Sequence, residues 1–125
     1  MKKIINTPNA PAPIGPYSQA VQTGNMLFVS GQIPINPATG ELVSDSIEAE
    51  AKQVMQNLEA VLTEAGVTFD NVVMTTIFLA DMGDFAAVNA VYGTYFTADF
   101  PARATVAVKT LPKSVHVEIS VIAAL

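Results

Sequence analysis

The chain has 125 residues, with six lysines and arginines against eleven aspartates and glutamates, a net charge of −5. This length predicts one domain, residues 1–125, with a hydrophobic core. The few cations are scattered, which disfavours nucleic-acid binding because a phosphate backbone is held by a basic stripe. Half of the residues are hydrophobic and only 14% are charged, so we expect the surplus apolar surface to be covered in an oligomer.

Several classes of site and location are excluded by residue type. There is no cysteine, so we expect no disulfide, no thiolate metal site and no cysteine nucleophile. His116 is the only histidine, which excludes a multi-histidine metal site within one chain. The start of the chain lacks the apolar segment of a secretion signal, and no apolar run is long enough to span a membrane. These features predict a cytoplasmic protein without membrane association.

The first forty residues predict an irregular segment followed by a hairpin. Prolines at positions 8, 11, 13 and 16 favour an extended, irregular course for residues 7–16. Residues 17–22 and 26–30 are strand-like runs, and Thr23, Gly24 and Asn25 between them are typical of a hairpin turn.

The first helix is predicted from Asp45 to Gly66. Asp45 and Glu48 have the spacing of a capping box, and Gly66 is a natural helix stop. One apolar stripe at helical spacing predicts the buried face: Ile47, Ala51, Val54, Leu58, Val61, Leu62 and Ala65. We expect the polar side chains to face water: Glu48, Glu50, Lys52, Gln56, Glu59 and Glu64.

The second half predicts alternating strands and helices. Residues 72–80 are almost continuously apolar, which is typical of a strand covered on both faces. Asp81 is the predicted cap of a second helix over residues 84–96, whose buried stripe is Phe85, Val88, Tyr92 and Phe96. Residues 101–108 and 115–121 are then predicted strands. This order predicts a two-layer α/β or α+β fold with both helices on one sheet face and copies of the chain on the other.

Arg103 and Glu118 are the residues in these last strands that call for a chemical explanation. Arg103 is the only arginine, and Glu118 interrupts an apolar run. One interpretation is a structural ion pair, buried or at an interface. The other is a ligand site, in which the planar guanidinium binds one carboxylate and Glu118 orients or deprotonates a water.

Other catalytic constellations are disfavoured. A serine triad would have to use His116, and the chain has no G-x-S-x-G motif. It also lacks a G-x-G-x-x-G motif and a P-loop, which disfavours a nucleotide cofactor. We expect His116 to lie at the surface or at the mouth of a strand.

Several motifs in order along the chain resemble one family. They are APIGPYSQA at 12–20, SGQIP at 30–34, DF-x-x-VN at 84–89, PARATV at 101–106, LP at 111–112 and VEI at 117–119. Together they resemble the signature of the reactive-intermediate deaminases of RidA or YjgF type, also called the endoribonuclease L-PSP family.

The resemblance implies a fold, an assembly and an activity. The fold would be chorismate-mutase-like, with a homotrimer whose sheets form a barrel and whose sites lie in clefts between subunits. The activity would be hydrolysis of small 2-imino and 2-enamino acids, such as 2-aminoacrylate, to a 2-keto acid and ammonia. No cofactor and no metal would be needed.

The resemblance also implies roles for particular residues. Arg103 would bind the substrate carboxylate and Glu118 would position the attacking water. The cleft would be lined by Tyr17, Ser30, Gly31 and Asn89, with backbone groups near Gly31 and Thr105 contacting the nitrogen end of the substrate. Many relatives have cysteine where this chain has Thr105, which puts any redox-linked behaviour in doubt here.

Three other functions stay open. The same cleft and arginine would suit a non-catalytic module that senses 2-keto acids or serves a regulator. Some relatives are described as translation inhibitors or RNA cleavers, a function that the acidic charge balance disfavours. Chorismate mutase shares the fold, but chorismate has two carboxylates, so Lys109 or Lys113 of a neighbouring subunit would have to supply the second cation.

Overall fold

The computed structural model describes residues 1–125. Its six strands are β1 (Lys2–Ile5), β2 (Ala20–Thr23), β3 (Met26–Gln32), β4 (Val72–Leu79), β5 (Ala102–Ala107) and β6 (Val117–Ala124). Its two α-helices are α1 (Ile47–Glu64) and α2 (Phe85–Gly93). No helix combines the length and apolar character that crossing a membrane requires.

All six strands form one mixed sheet. The spatial order is β1-β2-β3-β6-β4-β5. Only β4 and β5 are parallel, and α2 provides the crossover that a parallel pair needs. Both helices pack on one face, so the predicted two-layer α+β architecture is confirmed.

The core lies between α1 and the inward-facing residues of β3, β4 and β6. Alternate residues of a strand point to opposite faces, and on β6 Val117 and Ile119 are fully buried against the predicted stripe of α1. Leu58 and Ile77 are also completely buried. Burial of each such side chain stabilises the fold by roughly 1.5–3 kcal/mol relative to an exposed position.

The predicted start of α1 is wrong by one residue. Ser46 is the N-cap, and its side-chain oxygen accepts a hydrogen bond from the Ala49 N–H at 3.0 Å. Because the extended backbone of Ser46 directly precedes the helix, Asp45 lies outside it and forms no capping box. The predicted stop is sound, since Gly66 follows the C-cap with φ of 81°.

The second helix is shorter than predicted. It ends at Gly93, and Asp81 caps a separate helical turn, Met82–Asp84, through a hydrogen bond from the Gly83 N–H at 2.8 Å. Phe96 is nevertheless buried, because its ring packs against those of Phe69 and Tyr92. Aromatic packing, not helical continuation, therefore places this residue in the core.

The structure has a first strand that the sequence did not predict. β1 is an edge strand that pairs antiparallel with β2, from Lys2 opposite Thr23 to Ile5 opposite Ala20. β2 itself starts at Ala20, three residues later than predicted. Residues 17–19 instead turn away from the sheet and line a cleft, because side-chain hydrogen bonds hold them there.

The sheet face away from the helices is apolar and uncovered within one chain. Phe28, Val73 and Val106 are each more than two-fifths exposed. Met74, Phe78 and Ile122 are half-buried on the same face. This is the face on which the sequence predicts copies of the chain.

Candidate functional site

One cleft surrounds Glu118. Its wall is formed by residues before β2, at the end of β3 and in the turn before β6, namely Tyr17, Ser30, Gly31, Pro112 and Lys113. Three of the predicted site residues therefore lie beside Glu118. We call this group the Glu118 cleft.

Gly31 makes room for the Glu118 carboxyl group. A Cβ atom on Gly31 would overlap Glu118 Oε2 and lie 2.8 Å from its Cδ. The register of β3 against β6 shifts between Val29 and Gln32, so Gly31 lies in an irregular part of this strand pair. Glycine at position 31 is thus required by a close approach.

The Glu118 carboxyl group is partly desolvated. It lies on the uncovered face of β6, between the buried residues Val117 and Ile119. Burial raises the pKa of Glu118 above its ordinary value. A carboxylate with a raised pKa is a stronger proton acceptor, which suits a group that activates water.

Ser30 and Gln19 hold the wall of this cleft in place. The Ser30 hydroxyl donates to the Ser18 carbonyl at 2.6 Å, so it is used to fix residues 17–19. The buried Gln19 accepts from the Thr7 N–H at 2.7 Å and donates to the carbonyls of Thr7, Ala10 and Pro11. Gln19 lies inside the motif at 12–20, but nothing in the sequence indicates this structural role.

A second cleft surrounds Arg103. It is lined by Asn89, Tyr92, Gly93, Phe100 and Pro101. Arg103 Nη1 donates to Asn89 Oδ1 at 2.6 Å. The structure therefore brings together two predicted site residues, Arg103 and Asn89, through a direct hydrogen bond.

Thr105 lies two residues beyond Arg103 on β5, with its side chain toward the helices. It is paired with the buried Ile77, as Arg103 is paired with the buried Thr75. Thr105 Oγ1 is buried and has no hydrogen-bond partner in the chain. An unpaired buried hydroxyl costs free energy, so a partner from a ligand or another subunit would be favourable.

The two clefts do not meet within one chain. β4 separates β5 from β6, with Arg103 opposite Thr75 and Glu118 opposite Phe78. Thr75 is on the helix-covered face and Glu118 on the uncovered one, so Arg103 and Glu118 point to opposite faces of the sheet. The interpretation as an ion pair within the chain is therefore wrong.

Glu50 has an unexpected partner, His116. Glu50 is 3% exposed, which overturns the expectation that it faces water. Its carboxylate accepts from the His116 backbone N–H at 3.0 Å and lies 2.7 Å from His116 Nδ1. His116 itself is half-exposed just before β6, as predicted. Glu50 lies three residues after Ile47 and four before Val54, a spacing that indicates its side of the helix.

The Glu50–His116 contact fixes one end of the turn that carries Lys113. Lys113 and the following Ser114 both have left-handed backbone conformations, with φ of 56° and 57°. Such conformations are unfavourable for residues other than glycine and persist where the surroundings impose them.

No three His, Cys, Asp or Glu side chains come together as a group that could hold a metal ion.

The family described as Endoribonuclease L-PSP matches residues 7–125 of the chain. A mouse protein named 2-iminobutanoate/2-iminopropanoate deaminase is 50% identical over 123 residues, which cover 98% of this chain and 91% of the mouse chain. This protein belongs to the RidA/YjgF (L-PSP) family. The family resemblance inferred from the motifs is thereby confirmed.

Solved structures of RidA/YjgF relatives superpose closely on this fold. YyfA from Yersinia pestis, described as a Rid family protein of unknown function, is 51% identical with a TM-score of 0.98, and all of both chains is covered. TdcF from E. coli, solved with bound serine, is 42% identical with a TM-score of 0.94, and 98% of each chain is covered. The family therefore includes a named deaminase and a protein that binds a small amino acid.

Proposed function

We propose that this protein is a single-domain, cytoplasmic, cofactor-independent hydrolase of 2-imino and 2-enamino acids, a 2-iminobutanoate/2-iminopropanoate deaminase. The observation that carries the proposal is the state of Arg103. Its guanidinium has no carboxylate partner in the chain, and its one hydrogen bond is to the neutral Asn89. A fixed guanidinium with free donors is suited to a ligand with one carboxylate.

The proposed reaction needs little beyond orientation and a proton acceptor. Arg103 holds the substrate carboxylate, and Glu118 accepts a proton from water as its oxygen adds to the imine carbon. Glu118 returns that proton to the imine nitrogen, which gives a neutral carbinolamine. The carbinolamine hydroxyl proton then moves to the nitrogen as the carbon–nitrogen bond breaks, so that ammonia leaves and a 2-keto acid is formed. Because an imine carbon is already electrophilic, placement of the water supplies much of the acceleration.

A homotrimer would unite the two clefts. Within one chain Arg103 and Glu118 point to opposite sheet faces, so a complete site requires Arg103 from one subunit and Glu118 from its neighbour. The uncovered apolar face, with Phe28, Val73 and Val106, supports such an assembly. Tyr17, Ser30 and Gly31 would line the site on the Glu118 side, and Asn89 and Thr105 on the Arg103 side.

The test is a coupled trapping assay. A dehydratase or amino-acid oxidase generates the imine, semicarbazide traps it, and the trapped product is followed with and without this protein. We expect wild type to suppress trapping catalytically, while Arg103→Ala and Glu118→Gln do not. Lys52→Ala, which removes an exposed cation from α1, is the matched control and should retain activity. Equal trapping with and without wild type, across several imino acids, would overturn the proposal.

A second candidate is a non-catalytic module that binds a small amino or keto acid. Serine bound to TdcF favours it, because that relative is 42% identical and accommodates such a ligand. The two candidates differ in turnover. Calorimetric binding of 2-oxobutanoate that is lost in Arg103→Ala, together with no suppression of trapping by wild type, would favour the binding module.

A further inference from the structure

Two aromatic rings lie close to the Arg103 guanidinium. The guanidinium carbon lies 5.4 Å from the centre of the Phe85 ring and 5.1 Å from that of Tyr92. Both distances are within the range of cation–π attraction. Since Arg103 is an exposed side chain on an edge strand, these contacts restrict a group that would otherwise sample many rotamers.

One stripe of α2 provides all of these contacts. Phe85, Asn89 and Tyr92 are at positions i, i+4 and i+7, which lie on one face of a helix. The sequence pattern assigns Phe85 and Tyr92 to the core. The structure shows that they also contact the single arginine, while Asn89 pins Nη1.

Tyr92 is itself held in place by a hydrogen bond to β4. Its hydroxyl lies 2.9 Å from Thr75 Oγ1, and both residues are buried. Burial raises the pKa of Tyr92, which keeps the phenol neutral as a hydrogen-bonding group. Thr75 is also the β4 residue paired with Arg103 in the ladder with β5. A continuous set of contacts thus joins the buried strand to the guanidinium.

We infer that Phe85, Tyr92 and Thr75 are positioning residues that orient the Arg103 guanidinium for carboxylate binding. This inference rests on the proposed function of Arg103. The rings restrict the guanidinium, Asn89 occupies one of its donors, and no other side chain of the chain forms a hydrogen bond with the remaining donors. Pre-orientation of this kind raises affinity because less side-chain entropy is lost when the ligand binds.

Substitutions at Phe85 and Tyr92 test whether the rings act through their contact with the guanidinium or only through packing. Phe85→Leu and Tyr92→Leu remove an aromatic face and keep an apolar side chain. We expect about a 3- to 30-fold rise in KM for the imino acid and in Kd for 2-oxobutanoate, with a smaller change in kcat. Phe85→Tyr restores an aromatic ring and should return both values to within about threefold of wild type.

A direct readout of Arg103 is available without activity. As the only arginine in the chain, Arg103 gives a single side-chain Nε–Hε NMR signal in the free protein. We expect restricted motion and a ring-current shift in wild type, and increased motion with loss of that shift in Phe85→Leu. Tyr92→Phe, which keeps the ring and loses the bond to Thr75, should give an intermediate result.

The outcomes distinguish this inference from the proposed function. Folded Phe85→Leu and Tyr92→Leu proteins with wild-type KM, Kd and Nε–Hε dynamics would overturn the positioning role. Failure of Phe85→Tyr to rescue would do the same, since it would indicate simple packing. If wild type lacks turnover but binds 2-oxobutanoate, the deaminase proposal fails, while Kd and the NMR signal still test the positioning role. If Tyr92→Leu does not fold, the half-buried Phe85 provides the test alone.

Discussion

Gly31 lies against the Glu118 carboxyl group with no space for a side chain between them. The backbone of β3 therefore packs directly against the proposed catalytic carboxylate. Any larger residue at position 31 must displace that carboxylate or shift one of the two strands.

Gly31→Ala should displace the Glu118 side chain and lower kcat/KM at least tenfold, as 1 Å misplacements in catalytic sites do. It should also lower the free energy of unfolding by about 1–3 kcal/mol through overpacking. In a Glu118→Ala background the overlapping carboxyl group is gone, so adding Gly31→Ala should change stability by less than about 0.5 kcal/mol. Urea unfolding of the four proteins measures this coupling. Equal destabilisation in both backgrounds would contradict it.

The pH dependence of activity should report the raised pKa of Glu118. Proton acceptance needs the ionised carboxylate, so kcat/KM falls as pH falls through the raised pKa. The acid limb should therefore lie above the ordinary glutamate value of about 4.3. The measurement is a kcat/KM profile with an imine source whose own rate is corrected at each pH. An acid limb at or below the ordinary value would argue against this role for Glu118.

The stability of the fold should also depend on the protonation of Glu118, in a direction that its raised pKa determines. Because the folded protein binds the Glu118 proton more tightly than the unfolded chain, this residue's contribution to stability declines as pH rises from the ordinary glutamate pKa through the raised one. Glu118→Gln has no charge to desolvate, so it should melt higher than wild type at neutral pH, with the gain shrinking toward acid pH. Thermal melts across this range test the sign, and a Glu118→Gln protein that melts lower at neutral pH would contradict it.

Glu50→Ala should destabilise the fold by about 1–3 kcal/mol. The substitution leaves the His116 backbone N–H without its partner and removes the contact that holds the turn before β6. Urea unfolding measures the change. Glu59→Ala is the matched control, since Glu59 is an exposed glutamate on the same helix and its loss should stay within about 0.5 kcal/mol. Equal effects of the two substitutions would show that the buried contact is unimportant.

Gln19→Ala should loosen the segment before β2. The Thr7 N–H loses its acceptor and three carbonyls lose a donor, so hydrogen exchange at Thr7 should accelerate at least tenfold. Amide exchange followed by NMR gives this rate. Gln56→Ala, an exposed glutamine on α1, should leave it unchanged. Unaltered protection of Thr7 in Gln19→Ala would mean that other contacts hold this segment.

Local patterns predicted the elements that local physics determines. The stripe of α1, the hairpin turn at Gly24, the helix stop at Gly66 and the existence of β4 all follow from periodicity or backbone preference within a few residues. Within one chain β4 is covered on the helix side only, with Val73 46% exposed, so its predicted cover on both faces is not present there. Of three further errors, two depend on distant partners, and the other is a local competition between neighbouring cap residues. Ser46 displaces Asp45 as the cap, Glu50 is buried because His116 satisfies it, and β1 exists only because β2 offers an edge.

The sequence by itself determined the two-layer α+β architecture, the family, and the residues on which the proposed chemistry depends. These rest on side-chain periodicity and on motifs that each occupy a few consecutive positions. Only the tertiary structure decided which of those residues meet. Insertion of β4 between β5 and β6 separates Arg103 from Glu118, and the register of both strands against β4 places the two side chains on opposite sheet faces. Strand order and register depend on pairings between distant segments.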